Sequence, residues 1–455
     1  MLLITVLPYI APYVQAKPNY LHLSMVCKAY SNIVPLLPLS PQVLFEKVRN
    51  DANVDDDLDT ILNSLPLLST GTYSTVRLLP HPLFQRTHLA LKLMPKRLQI
   101  RLNNVQKLRQ EVLILRALSR KTTTSSINNH HLHHLHHLHH LHHHPYVSHI
   151  ATVQTPVYLA VVTELAHGGE LFTHLHHKNH RTRGPTTEEV VDGVPQHTQT
   201  HSARSSCPPS ATRFYVAQLV LALEHLHTFS PDAAILHRDL RQENILVSSN
   251  SYLKLCDFGN ARWLKNGLRA RTLCGAPEST APEMFVPNAA GDTTHGAAVD
   301  WWALGVLSYE LNVGWSPFYS ENPMDIYGRI LASHSTLHYP DEAYNGSAGK
   351  EKEETTWAQA KSCTMALLER DETQRLGARS KRNVQRAAVD HVWFQGLDWS
   401  GLADQTLQPP QGAFAPSPEL SHNFELHGWQ NEEAPPGPLR GAQAKMTWNR
   451  WAKEL

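Results

Sequence analysis

Apolar residues along this chain recur with two periods, and the switches between them mark its elements. Leu89-Ala90-Leu91-Lys92-Leu93-Met94 is a strand-length apolar run interrupted by one lysine. Val105 to Leu118 follows with Val105, Leu108, Val112 and Leu115 at helical spacing, and Glu111 lies on the same segment. Tyr146 to Gln154 and Val157 to Thr163 alternate or run apolar as two strands. Thr212 to Thr228 predicts a helix whose stripe of Phe214, Val216, Leu219, Val220, Leu223 and Leu226 reads as core. Ile245-Leu246-Val247 and Tyr252 to Leu255 read as a hairpin around the polar turn Ser248 to Ser251. Val299 to Leu311 predicts a hydrophobic helix with a near-buried acid, Asp300. A buried carboxylate needs hydrogen-bond partners, and the backbone of the loop from His237 to Asn244 is a candidate. Further helices are expected at Met324 to Ala332, Trp357 to Leu368 and Val384 to Val392.

Other stretches break the pattern. Residues 1–60, with Pro35, Pro38, Pro41 and an acidic run from Asp51 to Asp59, read as a poorly ordered extension, and regular structure begins near Ile61. Lys121 to His144 is an insert whose core repeats His-His-Leu from His130 onward. One reading is a Zn²⁺, Ni²⁺ or Cu²⁺ binder, because neutral imidazole is a common metal ligand. The blander reading, a low-complexity expansion in a surface loop, is favoured, because no Cys or carboxylate joins the tract to close a tetrahedral site. Lys178 to Ser210 is a second insert, polar and loop-like, and the tail beyond Gly396 is rich in Pro, Gln, Asn and Glu.

Composition narrows the partners. Lys plus Arg number 41 against 40 Asp plus Glu, so net charge implies neither a nucleic-acid nor a membrane partner. Five scattered cysteines (Cys27, Cys207, Cys256, Cys274, Cys363) without a C-x-x-C favour a reducing setting, cytoplasmic with the nucleus as a second location. Met1 to Val14 is apolar but lacks a basic flank and carries Pro8 and Pro12. It reads as neither a secretory signal nor a membrane span.

The chemistry gathers between Leu236 and Gly259. His237-Arg238-Asp239-Leu240-Arg241-Gln242-Glu243-Asn244 is followed, thirteen residues after the Asn, by Asp257-Phe258-Gly259. The hairpin places Asn244 and Asp257 at neighbouring strand ends, close enough to share Mg²⁺ and phosphate, and Asp239 can accept a hydroxyl proton. Phosphoryl transfer needs such positioning and charge neutralisation more than covalent chemistry. Upstream, Ser69-Thr70-Gly71-Thr72-Tyr73-Ser74-Thr75-Val76 looks like a glycine-rich phosphate loop with only its middle glycine kept. Glycine serves there because backbone amides must approach phosphate. Lys92 reads as a phosphate-binding strand lysine, and Glu111, nineteen residues on, as its ion-pair partner. Glu164-Leu165-Ala166-His167-Gly168-Gly169-Glu170 suits a hinge whose backbone hydrogen-bonds an adenine edge.

Together these residues resemble the AGC branch of eukaryotic Ser/Thr protein kinases, most nearly the cyclic-AMP-dependent kinase catalytic subunits, over about Ile61 to Trp399. Arg271-Thr272-Leu273-Cys274-Gly275, Val299 to Gly305, Trp315-Ser316-Pro317-Phe318, Arg375-Leu376-Gly377 and Trp393-Phe394 strengthen the likeness. The resemblance implies an α+β, bilobal protein-kinase fold: a small β-rich lobe with one main helix at 61–164, a larger and mostly helical lobe at 165–395, and an AGC-like tail at 396–455. It implies ATP and Mg²⁺ as cofactors, protein substrates with basic motifs, and an upstream activating kinase or regulatory subunit. Asp239 would be the base, Asn244 and Asp257 the Mg²⁺ ligands, and Arg241 would stand where the family has a lysine on the γ-phosphate. Val76 and Ala90 would pack on the purine, Thr163 would be the gatekeeper, and Glu164 and Ala166 would offer hinge backbone. Thr272 would be the activation-loop phosphosite with Arg238 and Arg262 as phosphate partners, Glu283 would pair with Arg375, and Glu170, Glu243 and Glu310 would hold substrate arginines.

The chain also departs from that pattern. Ser69 and Ser74 replace two loop glycines, and Arg241-Gln242 replaces Lys-Pro. Ser279-Thr280 replaces an aromatic-aliphatic pair. Ala276 replaces a threonine that bridges base and lysine in related kinases, and Asn260 replaces a large apolar residue. The alternative these departures raise is a pseudokinase or scaffold with weak or no transfer. In the tail, Asn423-Phe424-Glu425 resembles a segment whose Phe approaches the nucleotide, with His427 in place of a tyrosine. Trp448 and Trp451 share the spacing of an F-x-x-F docking motif.

Overall fold

The computed structural model describes residues 58–80, 88–120, 145–176, 206–265, 268–288, 290–320, 322–332, 350–378, 388–417 and 423–424. The His-rich tract, most of the polar insert, most of the N-terminal extension and the Trp448/Trp451 motif lie outside these residues. The chain divides into two compact units, one built mainly from residues 1–119 and 147–165 and the other mainly from 166–424.

In the first unit, helix α1 (Leu58–Ser64) precedes strands β1 (Leu67–Thr70), β2 (Thr75–Pro80) and β3 (His88–Pro95). Helices α2 (Lys96–Arg101) and α3 (Val105–Arg120) come next, then β4 (His149–Gln154) and β5 (Tyr158–Glu164). The five strands form one antiparallel sheet in the order β1-β2-β3-β5-β4. Alternation sorts β3 cleanly. Leu89, Leu91 and Leu93 are at most 1 % exposed and join Leu62, Leu79, Ile150, Ala160 and Val162 in one core cluster. Ala90 and Lys92 fall on the other face. Burying such aliphatic side chains contributes roughly 1.5–3 kcal/mol each.

In the second unit, α4 (Leu171–His176) and α5 (Pro209–His227) precede the short strands β6 (Ala233–Leu236), β7 (Ile245–Val247), β8 (Leu253–Leu255) and β9 (Arg262–Lys265). Strand β7 pairs antiparallel with β8, and β6 with β9. Then come α6 (Ala298–Val313), α7 (Pro323–Leu331), α8 (Lys350–Leu367) and α9 (Trp399–Ala403). Helix α6 is buried along nearly its whole length because it packs against both α5 and α8. Its Trp302 stacks on Phe318 with ring centroids 5.5 Å apart. Gly314, at φ +89°, receives the chain reversal that ends α6. Gly377 has a stricter reason to be glycine: at φ +83°, an added Cβ would lie 2.2 Å from the Trp301 ring.

Some boundaries differ from the sequence reading. The strand expected from Tyr146 starts at His149, because Tyr146 turns into the second unit, where its hydroxyl donates to Ala222 O at 2.7 Å. Helix α5 starts earlier, with Pro209 in its first turn, where a missing N–H costs nothing. Helix α8 starts at Lys350, ahead of Trp357, through a polar first half that shows no apolar stripe. The helix expected at 384–392 lies mostly outside the described residues, and Val392–Phe394 is a single 3₁₀ turn. Helix α2 and the β6–β9 pair carry too few apolar repeats to be seen in advance.

Candidate active site

In the first unit the register of the sheet does the assembling. Val76 pairs with Lys92 across β2 and β3, and Ala90 with Thr163 across β3 and β5. Cross-strand partners share a face, as do residues two apart on a strand. Val76, Ala90, Lys92 and Thr163 therefore stand on one face of the sheet, opposite the leucine core. Lys92 Nζ donates to Glu111 Oε1 at 2.6 Å. The carboxylate is nearly buried and the lysine partly open, with side-chain exposures of 4 and 22 %.

The turn joining β1 to β2 is short. Ser69 and Thr70 close β1 opposite Val76 and Thr75. Gly71 N donates to Ser74 O at 2.9 Å, while Gly71, Thr72 and Tyr73 are exposed. Gly71 is not in the left-handed region, and a Cβ there would meet nothing nearer than 3.6 Å. Nothing among the described residues thus demands its glycine. Gln99 of α2, 1 % exposed, donates to Tyr73 O at 2.7 Å and so anchors the turn. At the end of β5, the Glu164 carboxylate accepts Ser148 N at 2.8 Å, and the Thr163 hydroxyl donates to Glu164 O at 3.2 Å.

In the second unit the segment after β6 is pinned from beneath by Asp300 of α6. Its carboxylate accepts His237 N at 2.9 Å, Arg238 N at 2.7 Å and His227 Nε2 at 2.8 Å. Burial pushes this carboxyl up, but the bond from His227, the fields of His227 and His237 and the Arg238 amide outweigh it and leave it below its ordinary value. These are the backbone partners expected of a buried acid at that position. Arg238 sits at φ +62°, an unfavourable backbone for a non-glycine residue that the two amide bonds hold in place. Its guanidinium donates to Asn260 O at 2.9 Å and approaches His295 Nε2 at 3.4 Å.

The hairpin then brings the remaining residues together. Asn244 Nδ2 donates to Asp239 O at 2.8 Å, and Cys256 N donates to Asn244 O at 2.9 Å, so Asp257 follows directly beside Asn244. Asp257 is exposed at φ +54°, and its Oδ1 accepts Gly259 N at 3.2 Å. The adjoining Phe258 is fully buried, edge-on to Tyr146 and His237. Asp239 Oδ2 accepts Asn260 Nδ2 at 3.1 Å. Gly275, at φ +89°, lies so close to Arg238 that a Cβ would meet its carbonyl at 2.8 Å.

Around this loop the charges pair among themselves. Arg241 makes a two-pronged contact with Glu243, at 3.0 and 2.7 Å. Gln242 Nε2 donates to Glu310 Oε2 at 2.7 Å. Burial pushes the Glu310 carboxyl up to about 8; the Gln242 bond opposes the rise, Glu278 and Glu243 add to it, and Arg241 opposes it. Glu170 joins the hairpin through a backbone bridge to Leu246. Thr272 is exposed, and Arg271 beside it approaches Asp292 at 3.5 Å. Arg262 is exposed on β9 and lowers the Arg238 guanidinium after burial has done so first. Gln99, Asn260, Gln242 and Glu278 were not singled out as site residues. Asn260 and Gln242 carry a signal, each as a departure from the resembled pattern, and Gln99 and Glu278 carry none.

The donor set suits a hard cation. Asn244 and Asp257 offer an amide and a carboxylate oxygen side by side, the ligand type that Mg²⁺ takes alongside water and phosphate. Among the described residues no group of three or more His, Cys, Asp or Glu side chains is gathered for a metal. No disulfide joins any two of the four described cysteines. No described helix is long and apolar enough to cross a membrane.

Residues 63–394 match the protein kinase domain family. The mouse cAMP-dependent protein kinase catalytic subunit PRKX is 31 % identical over 358 residues, 78 % of this chain and 77 % of that protein. A Drosophila melanogaster cAMP-dependent protein kinase catalytic subunit 3 is 31 % identical over 348 residues, 75 % of this chain but 46 % of its own length. The Saccharomyces cerevisiae serine/threonine-protein kinase SCH9 is 33 % identical over 273 residues, covering 60 % of this chain and 27 % of that protein. The match thus spans under half of the fly and yeast relatives. With the family matched across most of this chain and the paired Lys92 and Glu111, the pinned Asp239 loop and the Asn244–Asp257 hairpin in place, this chain belongs to the protein kinase domain family and, within it, to the AGC group.

Proposed function

We propose that the chain transfers the γ-phosphoryl group of ATP to Ser or Thr hydroxyls in peptides rich in arginine. The observation that carries this is the hairpin that brings Asp239, Asn244 and Asp257 together, through the Asn244–Asp239 and Cys256–Asn244 bonds. Asp239 accepts the proton of the substrate hydroxyl as that oxygen bonds to the γ-phosphorus and the bond from the β–γ bridging oxygen to the same phosphorus breaks, releasing ADP. Asn244 and Asp257 would hold Mg²⁺, which would supply charge neutralisation to the phosphates. Lys92, fixed by Glu111, grips the α- and β-phosphates. Ser69 to Ser74 covers them with backbone amides, and Val76, Ala90, Thr163, Glu164 and Ala166 receive the adenine. Arg241 stands near the γ-phosphate, within reach of Glu243.

Glu170 and Glu243, joined by Glu310 in its ionised form, favour basic peptides by charge complementarity. Phosphorylation of Thr272 by an upstream kinase gives Arg238 and Arg262 a doubly charged partner, an arrangement that orders loops. The domain limits, a cytoplasmic setting and a regulatory subunit belong to the same proposal. The test is transfer from radiolabelled ATP to an arginine-rich peptide, with the same peptide carrying alanines for arginines and Asp239→Ala as controls. Labelling that needs both the arginines and Asp239 supports the proposal. No labelling above the Asp239→Ala background would leave the chain a nucleotide-binding scaffold.

A further inference from the structure

We propose that Asn260 is a positioning residue for the Asp239 carboxylate, supplying the donor that residue 276 does not. This rests on Asp239 acting as the base. Asn260 Nδ2 donates to Asp239 Oδ2 at 3.1 Å, and the other oxygen, Oδ1, is buried without a hydrogen-bond partner. Asn260 is thus the side-chain donor on which this carboxylate depends among the described residues.

The surroundings explain why no other group substitutes for it. The segment 274–276 runs against the same carboxylate, since a Cβ on Gly275 would lie 3.6 Å from Asp239 Oδ1. The residue that follows is Ala276, whose methyl donates nothing. Asn260 in turn is fixed by a second bond in the opposite sense, from Arg238 Nε to its carbonyl at 2.9 Å. Adjacent residues of the loop are therefore fastened to one asparagine, Arg238 to its carbonyl and Asp239 to its amide. The 3₁₀ turn that carries it, Phe258–Asn260, is anchored by the buried Phe258.

A base must point at the hydroxyl it deprotonates, and small errors in aim are costly in rate. An amide donor on one oxygen restricts rotation of the carboxylate about its Cβ–Cγ bond. Removing it leaves a carboxylate with no side-chain donor on either oxygen among the described residues.

Steady-state kinetics on an arginine-rich peptide test this, using Asn260→Ala, the near-isosteric Asn260→Leu, the double variant Asn260→Ala/Ala276→Thr, and Asp239→Asn. The expected result is a fall in kcat of about tenfold in both single variants, from loss of one charge-assisted hydrogen bond. KM for peptide and for ATP should stay within about twofold, since neither substrate loses a contact. Ala276→Thr should restore most of the lost kcat by placing a hydroxyl beside the carboxylate. A wild-type kcat in the Asn260 variants overturns the inference, and so does a loss that Ala276→Thr leaves unrepaired. If Asn260→Ala fails to fold, Asn260→Leu carries the same decision. A wild-type chain no faster than Asp239→Asn removes the base itself, and the inference with it; an active wild type indifferent to Asn260 removes only the inference.

Discussion

Arg375 closes a two-pronged ion pair on Glu283, with guanidinium-to-carboxylate distances of 2.6 and 3.0 Å. The arginine is fully buried, and its remaining donors reach the carbonyls of Ala298 and Glu369. It also lies over the Trp302 ring, 5.2 Å from the centroid. Removing one partner of such a pair strands the other charge in the interior, at a cost of about 3–5 kcal/mol. Glu283→Ala should lower the unfolding free energy by that amount, read from the urea midpoint. Arg375→Met should cost less, because the thioether chain refills the space above Trp302. A loss below about 1 kcal/mol in Glu283→Ala would show the pair to be dispensable.

The Lys92–Glu111 contact leads to the opposite expectation, a large loss of activity with little loss of fold. Lys92 is partly open to solvent, so Lys92→Met leaves no buried charge behind except Glu111, which can take up a proton. Phosphate transfer should fall by at least about a hundredfold, while the thermal midpoint moves by only a few degrees. Glu111→Gln keeps a hydrogen-bond acceptor but loses the charge, and should raise KM for ATP more than it lowers kcat. Equal activity in both variants and wild type would exclude the pair from the nucleotide site.

Glu310 sets a pH dependence for peptide recognition. Its carboxyl, pushed up to about 8 by burial, is largely protonated at neutral pH while Gln242, Glu278, Glu243 and Arg241 face it. An arginine of the substrate is attracted only to the ionised form. KM for a basic peptide should therefore fall as pH rises from about 6.5 to 8.5, a window centred on that value. Glu310→Gln should abolish this part of the profile and leave KM for ATP unchanged. A peptide KM with the same pH slope in Glu310→Gln would assign the effect elsewhere.

His295 makes a separate prediction for stability. Burial, then the charge of Arg238, bring its imidazole down to about 4, with Glu283 and Asp300 opposing and Arg269 reinforcing. The folded chain thus binds fewer protons at this site than the unfolded chain, whose histidine titrates near ~6.5. Stability contributed here is complete above about 6.5 and is lost as pH falls toward 4. His295→Asn should flatten the urea-midpoint profile across that window. An unchanged profile would mean that other buried groups govern acid unfolding.

The β7–β8 hairpin was readable from the chain because two short apolar runs enclose a polar turn, and its register then fixes where Asn244 and Asp257 fall. Lys92 and Glu111 were readable for a similar reason: each is a charge interrupting an apolar period. Asp300 announced itself as an acid in the first turn of a hydrophobic helix, and its two amide partners belong to the loop expected. Contacts between side chains in irregular backbone were not readable. The Arg241–Glu243 pair spans two residues in a 3₁₀ turn, where no period predicts facing. Gln99 reaches Tyr73 from a six-residue helix too short to leave a repeat. Asn260 read as a departure from a pattern, and its contact with Asp239 depends on the turn that Asp257 forces at φ +54°.

The two-faced strand β3 has a consequence for how this gene can lengthen. Adding or deleting one codon between Leu89 and Leu93 would trade the faces, driving the ammonium of Lys92 into hydrocarbon and turning leucines outward. Extra sequence joining elements end to end disturbs no such alternation. The histidine-rich tract lies between the end of α3 at Arg120 and the start of β4 at His149, between elements and inside none of the paired strands.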